Sequence, residues 1–150
     1  MKTKLFRPWI LACSLVLLLA AGCATYQPKA YTQVAAPADK GLVYIYRPSN
    51  FVGGGVIYRV MLNGQEIGKL PDKSFVQAQP APGKNEFRIV KDGWPQTVYG
   101  EQTVEVAASQ VIYLRFGPDW AMGNPKFKAV DDTQGQSEIR DLTWYQPQAN

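Results

Sequence analysis

Val60-Met61-Leu62-Asn63-Gly64-Gln65-Glu66-Ile67-Gly68 decides the fold. Asn63-Gly64 supplies the two positive-φ residues that a type I′ turn requires, so it predicts a β-hairpin between Val56–Leu62 and Gln65–Leu70. Upstream, Leu42-Val43-Tyr44-Ile45-Tyr46 is rich in β-branched and aromatic residues and is stopped by Arg47-Pro48. Downstream, Phe75 to Gln79 reads as a short strand and Pro80-Ala81-Pro82-Gly83-Lys84 as a turn. Glu86 to Val90 then alternates, with Phe87 and Ile89 on the face opposite Arg88. After a break at Asp92-Gly93-Trp94-Pro95 come strands over Thr103–Val106, Val111–Phe116 and Lys126–Val130. Asp131 to Leu142 is expected to form a short helix, against which Gly135 counts.

Short strands with close turns predict a mainly all-β domain, an antiparallel β-sandwich or open barrel with a short C-terminal helix. A parallel sheet would need crossover helices, and the intervening segments read as too short and too polar for them. Four stretches together carry a family resemblance: Leu42 to Pro48, the hairpin from Val60 to Gly68, the Pro82-Gly83-Lys84 turn, and Tyr113-Leu114-Arg115. In that order they resemble the domain of unknown function 2846 of small bacterial lipoproteins, over residues 40 to 142. The resemblance implies a β-rich envelope domain and brings no catalytic residues with it. The hairpin-to-turn portion is also similar, at the level of fold analogy, to surface-associated PEGA modules.

The N-terminus reads differently. Lys2, Lys4 and Arg7 precede an apolar run from Trp9 to Ala21, then Gly22 and Cys23. This is the layout of a secretory signal peptide. The run is thirteen residues long, short of the roughly 20 needed to span a bilayer. Leu17-Leu18-Leu19-Ala20-Ala21-Gly22-Cys23 resembles the lipobox of bacterial lipoproteins, although Ala20 stands where leucine is more usual. The resemblance implies cleavage between Gly22 and Cys23 and acylation of the Cys23 thiol by chains such as palmitate. Ala24, in place of aspartate, implies sorting to the outer membrane with the domain facing the periplasm.

Three segments follow: a signal peptide over 1–22, a lipidated N-terminus and flexible tether over 23–40, and a β-sandwich domain over 41–150. The tether carries Pro28 and Pro37 and no sustained hydrophobic period. Its seventeen residues after Cys23 would reach roughly 20–25 Å as a flexible coil. Tyr26 and Tyr31 are candidates for resting at the membrane interface. Losing Lys2, Lys4 and Arg7 lowers the net charge from +4 to +1, and no dense basic stripe suggests nucleic acid. Cys13 leaves with the leader and Cys23 is blocked, so no disulfide is expected. Stability must come from the core of the remaining 128 residues, enough for one domain.

The chain has no histidine, which excludes a Ser-His-Asp triad and histidine-ligated metals. Asp119, Asp131, Asp132, Glu138 and Asp141 form the densest acidic group. Counting from Asp131, a calcium loop would place an oxygen ligand where Gly135 stands. A solvated turn and helix start is the plainer reading, and no metal or cofactor is expected. Gly53-Gly54-Gly55 lacks the lysine and helix start of a phosphate loop and reads as a connection or bulge.

Aromatic and arginine side chains are the remaining lead, because they are enriched at interface hot spots. Trp94, Trp120, Tyr99 and Arg47 are the candidate binding surface, against the ordinary alternative of core and edge packing. The resulting expectation is a monomeric, non-enzymatic binding or envelope-assembly module, held to the membrane by lipid. Its partner would be an envelope protein or peptidoglycan. The alternative is a glycan hydrolase or transglycosylase using carboxylates such as Asp119 and Asp131.

Overall fold

Leu42 to Arg47 forms a strand in which all six side chains are buried, so both of its faces must be covered. The computed structural model, which describes residues 29–50, 53–91, 96–118 and 124–145, places this strand inside the larger of two sheets. In chain order the strands are β1 (Lys29–Ala30), β2 (Leu42–Arg47), β3 (Tyr58–Leu62), β4 (Gln65–Leu70) and β5 (Ser74–Ala78). Then come β6 (Gly83–Lys91), β7 (Thr97–Val106), β8 (Val111–Gly117), β9 (Lys126–Val130) and β10 (Thr143–Trp144). A helix, α1 (Asp132–Ile139), lies between β9 and β10. One sheet has the order β1-β10-β5-β2-β8-β9 and the other β4-β3-β6-β7.

The expected hairpin forms, with Asn63 at φ 49° and Gly64 at φ 82°. Its turn is also fastened to β6. The Asn63 amide N–H donates to the Glu86 carbonyl at 2.8 Å, and Asn63 Oδ1 accepts from the Glu86 N–H at 2.9 Å. Asn63 Nδ2 donates to the buried Asn85, whose own amide donates to the carbonyls of Ala81 and Gly83. Two turns that are separate in sequence are thereby held as one unit.

All neighbours in the four-stranded sheet are antiparallel, as expected. The six-stranded sheet is mixed, because β2 runs parallel to β8 and β10 runs parallel to β5. The β2-to-β8 connection uses strands as its crossover. The chain leaves β2, builds β3–β4, returns for β5, builds β6–β7 and returns again as β8. No crossover helix is needed because the second sheet supplies the layer.

Alternation along β2 divides the core. Val43 and Ile45 join Val60, Phe87, Ile89, Leu114 and Phe116 between the sheets. Leu42, Tyr44 and Tyr46 point the other way and meet Phe75, Tyr113, Ile139 and Leu142 in an outer cluster. Two segments cover that outer face: helix α1 and the chain around Tyr31 and Ala36. The Tyr31 ring sits edge-on to Tyr44 and Phe75, with centroids 5.5 and 5.8 Å away, while Tyr44 stacks on Tyr113 at 5.4 Å. The expected tether therefore ends too far downstream. Residues 29–40 include a strand and an aromatic that packs on the domain, and the Lys40 carbonyl accepts from the Ser109 N–H.

Helix α1 has only eight residues, too few to be stable alone. Asp131 caps it, accepting the Gln134 N–H at 2.9 Å. Gly135, unfavourable by helix propensity, is needed by packing. A Cβ there would lie 2.6 Å from the Cβ of Tyr113 and 2.7 Å from its Cδ1.

Glu138 fastens the helix to the sheet. Its Oε2 accepts from Tyr46 Oη and Arg115 Nε, each at 2.9 Å, and its Oε1 accepts from Gln134 Nε2 at 2.9 Å. Burial pushes the carboxyl pKa up, but the hydrogen bonds from Gln134, Tyr46 and Arg115 outweigh it and leave the value below the ordinary 4.5. Burial, then Glu138, pushes the Tyr46 phenol far above its usual range, so it stays a donor.

A carboxyl with a depressed pKa contributes stability that is complete above its unfolded-state pKa and is lost as pH falls through the folded one. We predict that Glu138→Gln is less stable than the parent at about pH 7 and that the gap closes below about pH 4. Urea midpoints at the two pH values check this. A gap of equal size at both would contradict the charged clamp.

Candidate functional site

Tyr58, the first residue of β3, is the hub of one end of the sandwich. It is buried against Phe116 at 4.8 Å between ring centroids. The Arg47 guanidinium lies over its ring, 5.0 Å from the centroid, and the Tyr99 ring meets it edge-on at 5.2 Å. Two of the four candidate binding residues thus converge on one ring. They do so in different ways.

Arg47 is not a surface residue. It is 4% exposed, and its guanidinium ties down the segment that leaves β2. One terminal nitrogen donates to the Val56 carbonyl at 2.6 Å and the other to the Gly53 carbonyl at 2.7 Å. Asp72 stands 3.9 Å from Nε, and its carboxylate accepts from the Asn50 N–H and the Ser49 hydroxyl. Burial pulls the guanidinium pKa down, and the Asp72 charge offsets part of that; arginine remains cationic under such pressure. Pro48 ends the strand, so the side chain before it is where backbone carbonyls of the following loop collect. The glycine-rich segment is accordingly a fastened turn, closed by the Val56 N–H donating to the Gly53 carbonyl at 3.0 Å.

Tyr99 does reach the surface, at 38% exposed. The pairing of β6 with β7 shifts between Ile89 and Val90, so that Gly100 and Val98 are paired and Tyr99 is the extra residue. A β-bulge of this kind redirects a side chain, and here it sends the Tyr99 ring to Tyr58. Val98 is left 51% exposed, and Ile57, next to Tyr58, is also 51% exposed. The register from Tyr58 to Lys91 and from Lys91 to Thr97 puts Ile57 and Val98 at the same end of the four-stranded sheet.

Trp94, Trp120, Gly22 and Cys23 lie outside the described residues, as does Asp119. Asp131, its proposed partner in carboxylate chemistry, serves as the helix cap, and Glu138 serves as the helix clamp. Sequence reading missed Val98 because Gly100 interrupts the alternation, and β7 therefore reads as starting at Thr103. Gly100 is required there: a side chain would run into Phe127, 3.2 Å from its Cγ. Close approach of β7 to β9, sealed by Gln102 Nε2 donating to the Phe127 carbonyl at 2.9 Å, overrides β-propensity at that position.

These features define a two-sheet β domain with a rigid base and an apolar rim at one end. Residues 37–129 match the model of one family, described as a protein of unknown function (DUF2846), and the chain belongs to that family. The match runs from before β2 to within β9 and stops short of α1 and β10. No curated protein and no solved structure matches the chain.

Removing the buried guanidinium should leave loop carbonyls without their donors. Hydrogen bonds to charged groups contribute about 1.5–3 kcal/mol each. We predict that Arg47→Met destabilises the domain by about 2–4 kcal/mol and opens residues 48–57 to proteolysis. Urea unfolding and limited proteolysis check both effects; a change below about 1 kcal/mol would show that Arg47 has no such structural role.

Proposed function

We propose that this chain is a lipid-anchored envelope protein whose β-sandwich is a non-catalytic binding or assembly module. Its recognition surface is the end bearing Ile57, Val98 and Tyr99. The observation that carries this reading is the pairing of a rim of exposed large apolar side chains with a base locked by Arg47 and Tyr58. Single exposed apolar residues need no explanation, but a group of them at one end is the kind of feature that marks a contact site. A base already held in place lowers the ordering cost of binding.

The anchor rests on the leader and on Cys23, and outer-membrane placement rests on Ala24. A chain without histidine, and whose two thiols are discarded or blocked by the processing proposed, favours binding over catalysis. The partner is an envelope protein or peptidoglycan, engaged by a monomer.

We predict that a photo-crosslinking residue at position 57 or 99, introduced in cells, yields a discrete adduct with an envelope component. The same residue at Glu105, far along β7, should not. Mass spectrometry of the membrane fraction identifies the adduct. No adduct from 57 or 99 with the protein intact would overturn the assignment of this surface. Release of soluble fragments from purified peptidoglycan would instead establish the hydrolase.

A further inference from the structure

Residues 29–40 belong to the fold ahead of Gly41, and this changes how an anchored domain can move. β1 is the outermost strand of the six-stranded sheet and pairs with β10, Lys29 opposite Trp144 and Ala30 opposite Thr143. Lys29 and Ala30 are exposed, whereas Trp144 is half-buried and stacks on Phe75 with centroids 6.4 Å apart. The Lys29 ammonium lies 5.5 Å from the centre of the Trp144 ring. Tyr145 follows at the same edge, its N–H donating to the Phe75 carbonyl at 2.9 Å.

Only six Cα steps separate Lys29 from Cys23. Fully extended, they span at most about 20–22 Å. The opposite edge of the same sheet, β9, is five strand spacings away, or about 24 Å. The leash is therefore no longer than the sheet is wide. Its point of attachment is an edge, so the edge at β1 stays nearer to the lipid than the edge at β9. The residues at that edge suit the position: tryptophan and tyrosine favour the headgroup level, and lysine can lay its stem on an apolar surface while its charge stays in water.

We infer that the β1–β10 edge is the face the domain turns to the bilayer, with Lys29 and Trp144 at the headgroup surface. The inference rests on the reading of Cys23 as the lipidated residue. The occupant of this edge is a lipid surface, not a protein. Val98 and Tyr99 of the recognition end remain free of the membrane because they lie on β7 of the other sheet, which contacts β9 through Gln102 and Phe127.

The test uses the lipidated mature chain in vesicles of phosphatidylethanolamine and phosphatidylglycerol that carry headgroup-attached nitroxide lipids. Because Cys23 would be blocked, Lys29→Cys and Ala129→Cys each provide a sole thiol for an environment-sensitive fluorophore. The expected result is quenching several-fold stronger at 29 than at 129. A second pair, Lys69→Cys on β4 and Thr103→Cys on β7, should show the same order and guards against local damage at β1. Protein that floats with the vesicles but shows equal quenching within both pairs would overturn the orientation while leaving the anchor intact. Protein that does not float with the vesicles would overturn the anchor and the orientation together.

Discussion

A strand that is buried on both faces needs a layer on each side, and β2 imposes that requirement on the whole molecule. Its inward residues, Val43 and Ile45, are covered by the four-stranded sheet. Its outward residues, Leu42, Tyr44 and Tyr46, are covered by α1 and the Tyr31 segment. Each large apolar side chain contributes about 1.5–3 kcal/mol when fully buried. Exposing several at once would consume most of a net stability of about 5–15 kcal/mol. The outer layer is thus a condition of folding and not a decoration on it. Burial also pushes the Tyr44 phenol pKa up to about 12, with the neighbouring Tyr31 adding to the effect, as expected of a ring enclosed in a packed layer.

The same requirement explains the mixed sheet. With β2 in the interior it must have neighbours on both edges, and these are β5 and β8. The chain reaches both by passing through the second sheet, so covering the inner face and completing the strand order are one process. Closure at the margins depends on glycines where backbones approach. Gly68 faces Val76, whose γ carbons would stand 3.0 and 3.1 Å from an added Cβ, and Gly100 faces Phe127.

Most of the strands were legible because their signals are local. Asn63-Gly64 fixed a hairpin, and the alternation of Phe87 and Ile89 fixed a face. Elements that depend on distant partners were not legible. The two-residue strands β1 and β10 have no period to detect and exist only through each other and β5. The first half of β7 was hidden by Gly100, whose role is set by Phe127 on another strand. Tyr31 reads as a linker tyrosine until Tyr44 and Phe75 are placed beside it. Of the candidate binding residues within the described residues, Tyr99 reaches the surface and Arg47 is a buried tie. An arginine before proline at a strand end carries no sequence mark that separates those roles.

The cover that residues 29–40 give to β2 is the condition on which the outer layer depends most. The direct measurement compares the urea unfolding of an unlipidated chain starting at Ala24 with one starting at Gly41. Loss of β1 and of the Tyr31 cover should lower stability by about 2–5 kcal/mol, the range for deleting a large apolar side chain from a core, and expose the outer cluster to an apolar dye. Equal midpoints and no added dye binding would mean that these residues are a tether after all and that β2 needs no cover from them.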